Sequence, residues 1–186
     1  MIPPAETPSP EPATPIPSAT VALARQVNRL EVLLLRRNSQ LFFAPGMWVF
    51  PGGRIDPEDY PTSTAVEGDE RRCAAQRAAC REAFEEAGIA VEPQSLTYID
   101  HYVTPHEQPR RFSTWFFLAE VAADQPVVID RGEIVEFCWL TAEQALQRHQ
   151  AGDFPLVRPT REVLTRLTGV ESAIEAKMAL GRSFPE

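Results

Sequence analysis

"CREAFEEAGIAV", residues 80–91, sets Glu82, Glu85 and Glu86 close together and closes on Gly88. In a helix, offsets of three and four residues bring side chains onto one face, where like-charged pairs cost roughly 0.2–0.5 kcal/mol each. At about 100° per residue the three carboxylates fall within an arc of roughly 100°, with Phe84 and Cys80 on the side expected to meet a core. Something must offset the repulsion on the acidic face.

The stretch belongs to a longer helical segment. From about Asp69 to Ala87 the residues are helix formers, with Cys73, Ala79 or Cys80, Phe84 and Ala87 recurring at helical intervals, and Gly88 sits where a helix would end. Upstream, "MWVFPGGRID" reads as a strand running into a Pro-Gly-Gly turn, where Gly52 and Gly53 permit close approaches that a Cβ would block. The polar, breaker-rich "PEDYPTSTAVEGDE" between turn and helix reads as a loop. Further back, "TVALARQV" and "EVLLLRRN", joined by "NRL", read as a hairpin. Downstream, "SLTYIDHYVTP", "RRFSTWFFLAEVA" and "IVEFCWL" read as strands. "TAEQALQRHQAG" reads as a helix opened by Thr141 with a capping-box partner at Gln144 and ended by Gly152, and "RPTREVLTRLTGV" begins one or two more. The expected architecture is α+β, a mixed sheet packed between helices.

Composition narrows the class. A folded part of roughly 150 residues buries about 70% of its unfolded surface, enough for a core without disulfide or structural metal. Residues 1–18, acidic and proline-laden, read as a disordered or polyproline-like tail, with one domain over 19–186. That start resembles neither a secretory signal nor a transit peptide. No apolar run approaches the roughly 20 residues of a membrane-spanning helix. Cys73, Cys80 and Cys138 form no CxxC pair, so a reducing cytoplasm is expected. A formal net charge of −8 opposes the broad basic surface that nucleic acids need and leaves room for a small anionic ligand held by metal and a few arginines.

"FPGGRIDPED" followed after a gap by "REAFEEAGI" resembles the signature of the Nudix hydrolases, whose second half it matches at every specified position with Ala83 and Ile89 as the apolar ones. The first half departs from it: Asp59 stands where the signature has a glutamate, and the spacer before Arg81 is fourteen residues longer than the family's. The flanks "LLLRR", "APGMWVFPGGRIDPED" and "TPHEQPRRFSTWFFLAEV" look like the branch that includes the coenzyme A diphosphatases. The resemblance covers the chain from about Ala19 onward and implies a Nudix fold, an α/β/α sandwich.

It also implies a chemistry: cleavage of the diphosphate of a nucleoside diphosphate linked to another moiety, with Mg2+ or Mn2+ as cofactor. Hard cations prefer carboxylate oxygens, so a metal would offset the repulsion on the acidic face. The resemblance places metal ligation on Glu82, Glu85 and Glu86, with the Gly52 carbonyl as a further ligand, and gives Arg81 the task of orienting the carboxylates. Asp59 either supports that arrangement or takes no part. A further carboxylate, ligand or general base, is expected from "DRGEIVEFCW". Glu133 and Glu136 fall on opposite sheet faces, and Glu133, beside Gly132, is the favoured one. Substrate phosphates could meet Arg110 and Arg111, or Arg36 and Arg37, through bidentate guanidinium contacts, with His106 a further candidate. Trp48, Phe50, Trp115, Phe116 and Phe117 read as core before they read as base-stacking groups. The substrate is expected to be a small nucleotide-type molecule, coenzyme A or acyl-coenzyme A first. ADP-ribose, nucleotide sugars, other nucleotides and a non-catalytic ligand-binding module are the alternatives. A homodimer is compatible with the family, although no heptad or interface stripe points to one.

Overall fold

The computed structural model describes residues 13–62 and 69–183. The first two strands, β1 (Ile16–Gln26) and β2 (Leu30–Arg37), form the expected hairpin, paired only at its closed end, from Ala24 opposite Val32 to Gln26 opposite Leu30. Beyond that the two strands splay. Two short strands fill the gap: β3 (Trp48–Val49) pairs with β2, and β4 (Gly52–Arg54) pairs with β1. The stretch read as one strand into a turn is thus two strands, and Phe50-Pro51 carries the chain from one to the other.

The rest of the sheet assembles on both sides of this wedge. β5 (Thr97–Val103) runs antiparallel to β6 (Phe112–Val121), β6 lies parallel to β1 along ten residue pairs, and β7 (Ile134–Leu140) runs antiparallel to β2. Across the sheet the order is β7, β2, β1, β6, β5, with β3 and β4 between β2 and β1.

Strand alternation sends successive side chains to opposite faces and so makes two cores. Ala22 and Ala24 of β1, Leu34 of β2 and Leu118 of β6 meet three helices, α2 (Ala142–Ala151), α3 (Arg158–Leu167) and α4 (Ala173–Leu180). Val21, Leu23, Leu33 and Phe117 meet the single long helix α1 (Asp69–Ala87) on the other face. This is the α/β/α sandwich. Thr141 caps α2 by accepting the Gln144 amide, Gln144 returns the bond, and Gly152 ends the helix at φ +90°.

α1 turns a stripe of alanines to the sheet, Ala75, Ala78, Ala79, Ala83 and Ala87, all fully buried. Phe84, expected in the core, is 62% exposed instead. Side chains of one carbon let the helix lie close to the strands, and a ring 100° round from Ala83 is carried out of that contact. Cys80 half-buries against the same core, and burial pushes its thiol up to about 11.

The tail boundary moves. Ile16 to Ser18, placed in the tail by composition, belong to β1, so the paired domain begins earlier than residue 19. The remainder of the tail up to residue 12, and the part of the expected loop at 63–68, lie outside the described residues. The loop is not wholly irregular, because Pro57–Asp59 forms a 3-10 turn. Among the described residues no helix is long and apolar enough to cross a membrane.

Candidate active site

The C-terminal turns of α1 end beside β4, and the two glycines of that strand make the approach possible. A Cβ on Gly52 would stand 2.6 Å from the Ala19 carbonyl oxygen and 2.8 Å from the Thr20 Cα, both backbone atoms of β1. A Cβ on Gly53 would collide with the Glu82 carboxylate. β4 therefore passes between β1 and the acidic helix face with only hydrogen atoms to spare.

Glu86 is the deepest of the three carboxylates, 6% exposed. Its Oε2 accepts the Gly52 amide at 3.0 Å, and Arg37 Nη1 lies 3.7 Å from Oε1. Burial pushes the Glu86 carboxyl up to about 8, with Glu82 and Glu133 adding to the rise and the Gly52 amide and Arg37 opposing it. Glu82 is also raised, chiefly by burial, against the attraction of Arg81. Glu85 is about half exposed.

Arg81 spends its guanidinium on four partners. Nη1 donates to Glu82 at 2.9 Å and Glu85 at 3.0 Å, Nη2 to the Arg54 carbonyl at 2.9 Å, and Nη2 and Nε together to Asp59 at 2.9 and 3.2 Å. These bonds, that to Asp59 foremost, hold its pKa far above the ordinary arginine value. Asp59, 5% exposed, also accepts the Asp56 amide at 2.9 Å. Of the two expectations for Asp59, the structure shows the supporting one: it is the fixed end of the Arg81 brace. Arg81 and Arg37 thus supply positive charge to the acidic face.

The donor set suits a hard divalent cation. It consists of carboxylate and carbonyl oxygens, and the buried Glu86 carboxylate lacks a close cationic partner, the nearest being 3.7 Å away. Among the described residues no three acidic, histidine or cysteine side chains are gathered to hold an ion, and Glu82 and Glu85 are engaged by Arg81. Binding a cation would require those pairs to loosen.

The acidic wall of α1 closes one end of a cavity of about 1240 Å³. The sheet contributes Thr20, Phe112, Thr114 and Phe116, loops add Phe42 and Arg110, and the first residues of α3 complete it. Arg110 lies over the Phe42 and Phe112 rings, 5.9 and 5.3 Å from their centres.

Among the expected residues, Gly52, Arg81, Glu82, Glu85, Glu86, Glu133 and Arg110 all line this cavity. Three substrate candidates do not. Arg36 points to the other side of β2 and pairs with Glu136 at 3.1 Å in the open. Arg111 is buried, donating to the Thr104 and Ala13 carbonyls at 3.0 and 2.9 Å, so it ties the start of β1 to the β5–β6 loop. His106 is exposed on that loop and does not line the cavity, although Pro105 and Gln108 beside it do. Arg37 lines the cavity because alternation along β2 puts it on the face of Leu33 and Leu35, toward α1 and Glu86, and sends Arg36 to the other face. Of the aromatics, Trp48 stacks on Phe154 at 4.2 Å and Phe117 is buried, as expected of core residues, while Phe50 and Phe116 reach the cavity.

Sequence reading missed Asp130 and Phe42. Asp130 accepts the amides of Gly132 and Glu133 through one oxygen, at 3.1 and 2.8 Å, and that of Ile134 through the other at 2.9 Å. The adjacent "DRG" held the clue, since aspartate before glycine marks a turn. Phe42, 88% exposed, left no periodic signal.

A helix ending in carboxylates against a Gly-Gly strand, set in the splay of a mixed sheet between helices, defines a class of small α/β/α domains. The model of the NUDIX domain matches residues 14–159, and the chain belongs to that family. It is 29% identical over 189 residues to a Caenorhabditis elegans protein that bears the name nudix hydrolase 7, covering 83% of this chain and 61% of that protein's length. Its structure resembles a NUDIX hydrolase from Alicyclobacillus acidocaldarius, with 27% identity, a TM-score of 0.77, and coverage of 92% of this chain and 99% of the other. The fold is shared with the NUDIX domain of Shewanella oneidensis NrtR, solved in complex with ADP ribose, at 17% identity and a TM-score of 0.61 over 82% of this chain and 86% of that one.

Proposed function

We propose that this chain is a divalent-metal-dependent hydrolase that cleaves the diphosphate of a nucleoside diphosphate linked to another moiety, with coenzyme A or acyl-coenzyme A the first substrates to test. The observation that carries the reading is the carboxylate wall: Glu82, Glu85 and Glu86 face one cavity beside the Gly52 carbonyl strand, with Glu86 buried and short of cationic partners. Glu82, Glu85, Glu86 and the Gly52 carbonyl would hold Mg2+ or Mn2+. When bound, such ions neutralise charge on the diphosphate and make a bound water more acidic.

The chain's own residues do the rest. Arg81, occupied by four partners, sets the carboxylates and has no donor to spare for substrate. Glu133 is at the cavity rim with its side chain 59% exposed, within reach of solvent, and accepts the proton of the attacking water. Arg37 and Arg110 line the cavity and supply the positive charge that a diphosphate ester needs. The Phe42 and Phe112 rings that line the cavity suit a flat or apolar group attached beyond the diphosphate.

The test is a substrate panel of coenzyme A, acyl-coenzyme A, ADP-ribose, NADH, dinucleoside polyphosphates and nucleoside triphosphates, incubated with and without Mg2+ or Mn2+ and read by mass spectrometry. Metal-dependent appearance of phosphopantetheine and adenosine 3',5'-bisphosphate supports the coenzyme A reading. Faster cleavage of ADP-ribose or a dinucleotide moves the substrate and keeps the chemistry. Calorimetric binding with no phosphorus-containing product would replace hydrolysis by ligand binding alone.

A further inference from the structure

The segment that carries Glu133 is shaped by Asp130, which lines the cavity but gives its carboxylate to backbone amides. Between residues 130 and 134 the chain makes a tight turn, with Arg131 in the left-handed region at φ +61°, a conformation that a residue with a Cβ seldom adopts. The turn is held from inside by the Asp130 carboxylate, which gathers the three successive amides of Gly132, Glu133 and Ile134 at 2.8–3.1 Å. It is held from outside by Asn38, whose amide donates to the Glu133 carbonyl at 2.8 Å and whose Nδ2 donates to the Gly132 carbonyl at 3.0 Å. Ile134, fully buried, anchors its far end.

Both Asp130 oxygens are spent on these amides, so the residue is fitted to shaping the turn. The geometry of that turn fixes where the Glu133 side chain leaves the backbone. Arg37 Nη2, 3.5 Å from the Glu133 carboxylate, adds a loose lateral contact that cannot set the position alone. Without Asp130, three adjacent amides lose their acceptor and the left-handed residue loses the bonds that over-determine it.

We infer that Asp130 is a positioning residue that places the Glu133 carboxylate on the cavity rim by holding the 130–134 turn. The inference rests on the reading of Glu133 as the proton acceptor. It predicts that Asp130→Ala lowers kcat by roughly tenfold with KM nearly unchanged, the scale expected when a catalytic group is misplaced by a fraction of an ångström. Asp130→Asn, which keeps one acceptor oxygen, recovers part of the loss.

The decisive experiment is a double-mutant cycle on the full chain, using coenzyme A with Mg2+, or ADP-ribose where coenzyme A is not cut. Asp130→Ala in a Glu133→Gln background should cost less than a further twofold, because the residue acts only through Glu133. Independent, multiplying losses would overturn the inference while leaving Glu133 in its role. Wild-type turnover in Glu133→Gln removes Glu133 from the chemistry and takes the inference with it, an outcome told apart by that single variant. Amide exchange by NMR gives a reading free of turnover. Gly132 and Glu133 amides should exchange faster in Asp130→Ala with the melting temperature of the domain nearly kept, and unchanged exchange would contradict the proposal.

Discussion

Apart from Asp56, the acidic groups that line the cavity come from two regions built in opposite ways. The last turns of α1 carry Glu82 and Glu86 on a rigid helix, buried against a glycine strand and braced through Arg81 to the buried Asp59. The 130–134 turn carries Glu133 in the open, with its backbone held by Asp130 and Asn38. Burial makes the first region expensive to charge and therefore receptive to a cation. Exposure leaves the second open to solvent. The proposed metal wall and proton acceptor call for those two environments.

The sharpest way to break the first region is to remove its brace. Arg81→Ala strands Asp59 in the protein without its cation, and loss of one partner from a buried pair costs about 3 kcal/mol or more. A urea denaturation midpoint close to wild type would contradict the bracing role. Next in size is Glu86→Gln, which is expected to lower metal-supported turnover at least about a hundredfold. Because burial already disfavours the charged carboxylate, the same variant should melt in EDTA at or above the wild-type temperature. Loss of both activity and stability would mean that Glu86 serves mainly to hold the fold.

The pH behaviour of the metal-free protein sharpens the same contrast. Glu86 has a folded-state pKa of about 8, above its ordinary value of 4.5, so its contribution is fully present below the lower value and is lost as pH rises through the higher one. Thermal stability in EDTA should therefore fall between about pH 4.5 and 8, and Glu86→Gln should flatten that slope. Added Mn2+ should raise the melting temperature more at pH 8 than at pH 6, because below pH 8 it displaces a proton. Smallest of all is Arg36→Ala. Its pair with Glu136 is exposed, and the loss should stay within about 1 kcal/mol with turnover unchanged. A large drop in turnover would return Arg36 to the cavity.

The α1 region was legible in sequence and the loop region was not, for physical reasons. Helix limits at Asp69 and Ala87 follow from periodicity and a terminal glycine, and the Gly52-Gly53 approach from the absence of a Cβ. Phe84 misled because hydrophobicity alone takes no account of how close a helix lies to its sheet, and here alanines set that distance. Arg36 and Arg37 are equivalent phosphate contacts in sequence, yet alternation along β2 puts Arg37 with Leu33 and Leu35 beside Glu86 and leaves Arg36 on Glu136. Arg111 and its neighbour Arg110 divide in the same way, one buried on carbonyls and one over aromatic rings. Asp130 acts through backbone amides, and only the turn habit of an aspartate near a glycine hints at that in sequence.

The measurement that bears most directly on the account is a calorimetric titration of Mn2+ into the wild-type chain, Glu86→Gln and Glu133→Gln at pH 8. If α1 forms the metal wall and the 130–134 turn supplies the proton acceptor, Glu86→Gln weakens Mn2+ binding at least about tenfold, and Glu133→Gln leaves it within about twofold of wild type. Equal Mn2+ binding by wild type and Glu86→Gln, or binding abolished by Glu133→Gln alone, would contradict the division of roles between the two regions.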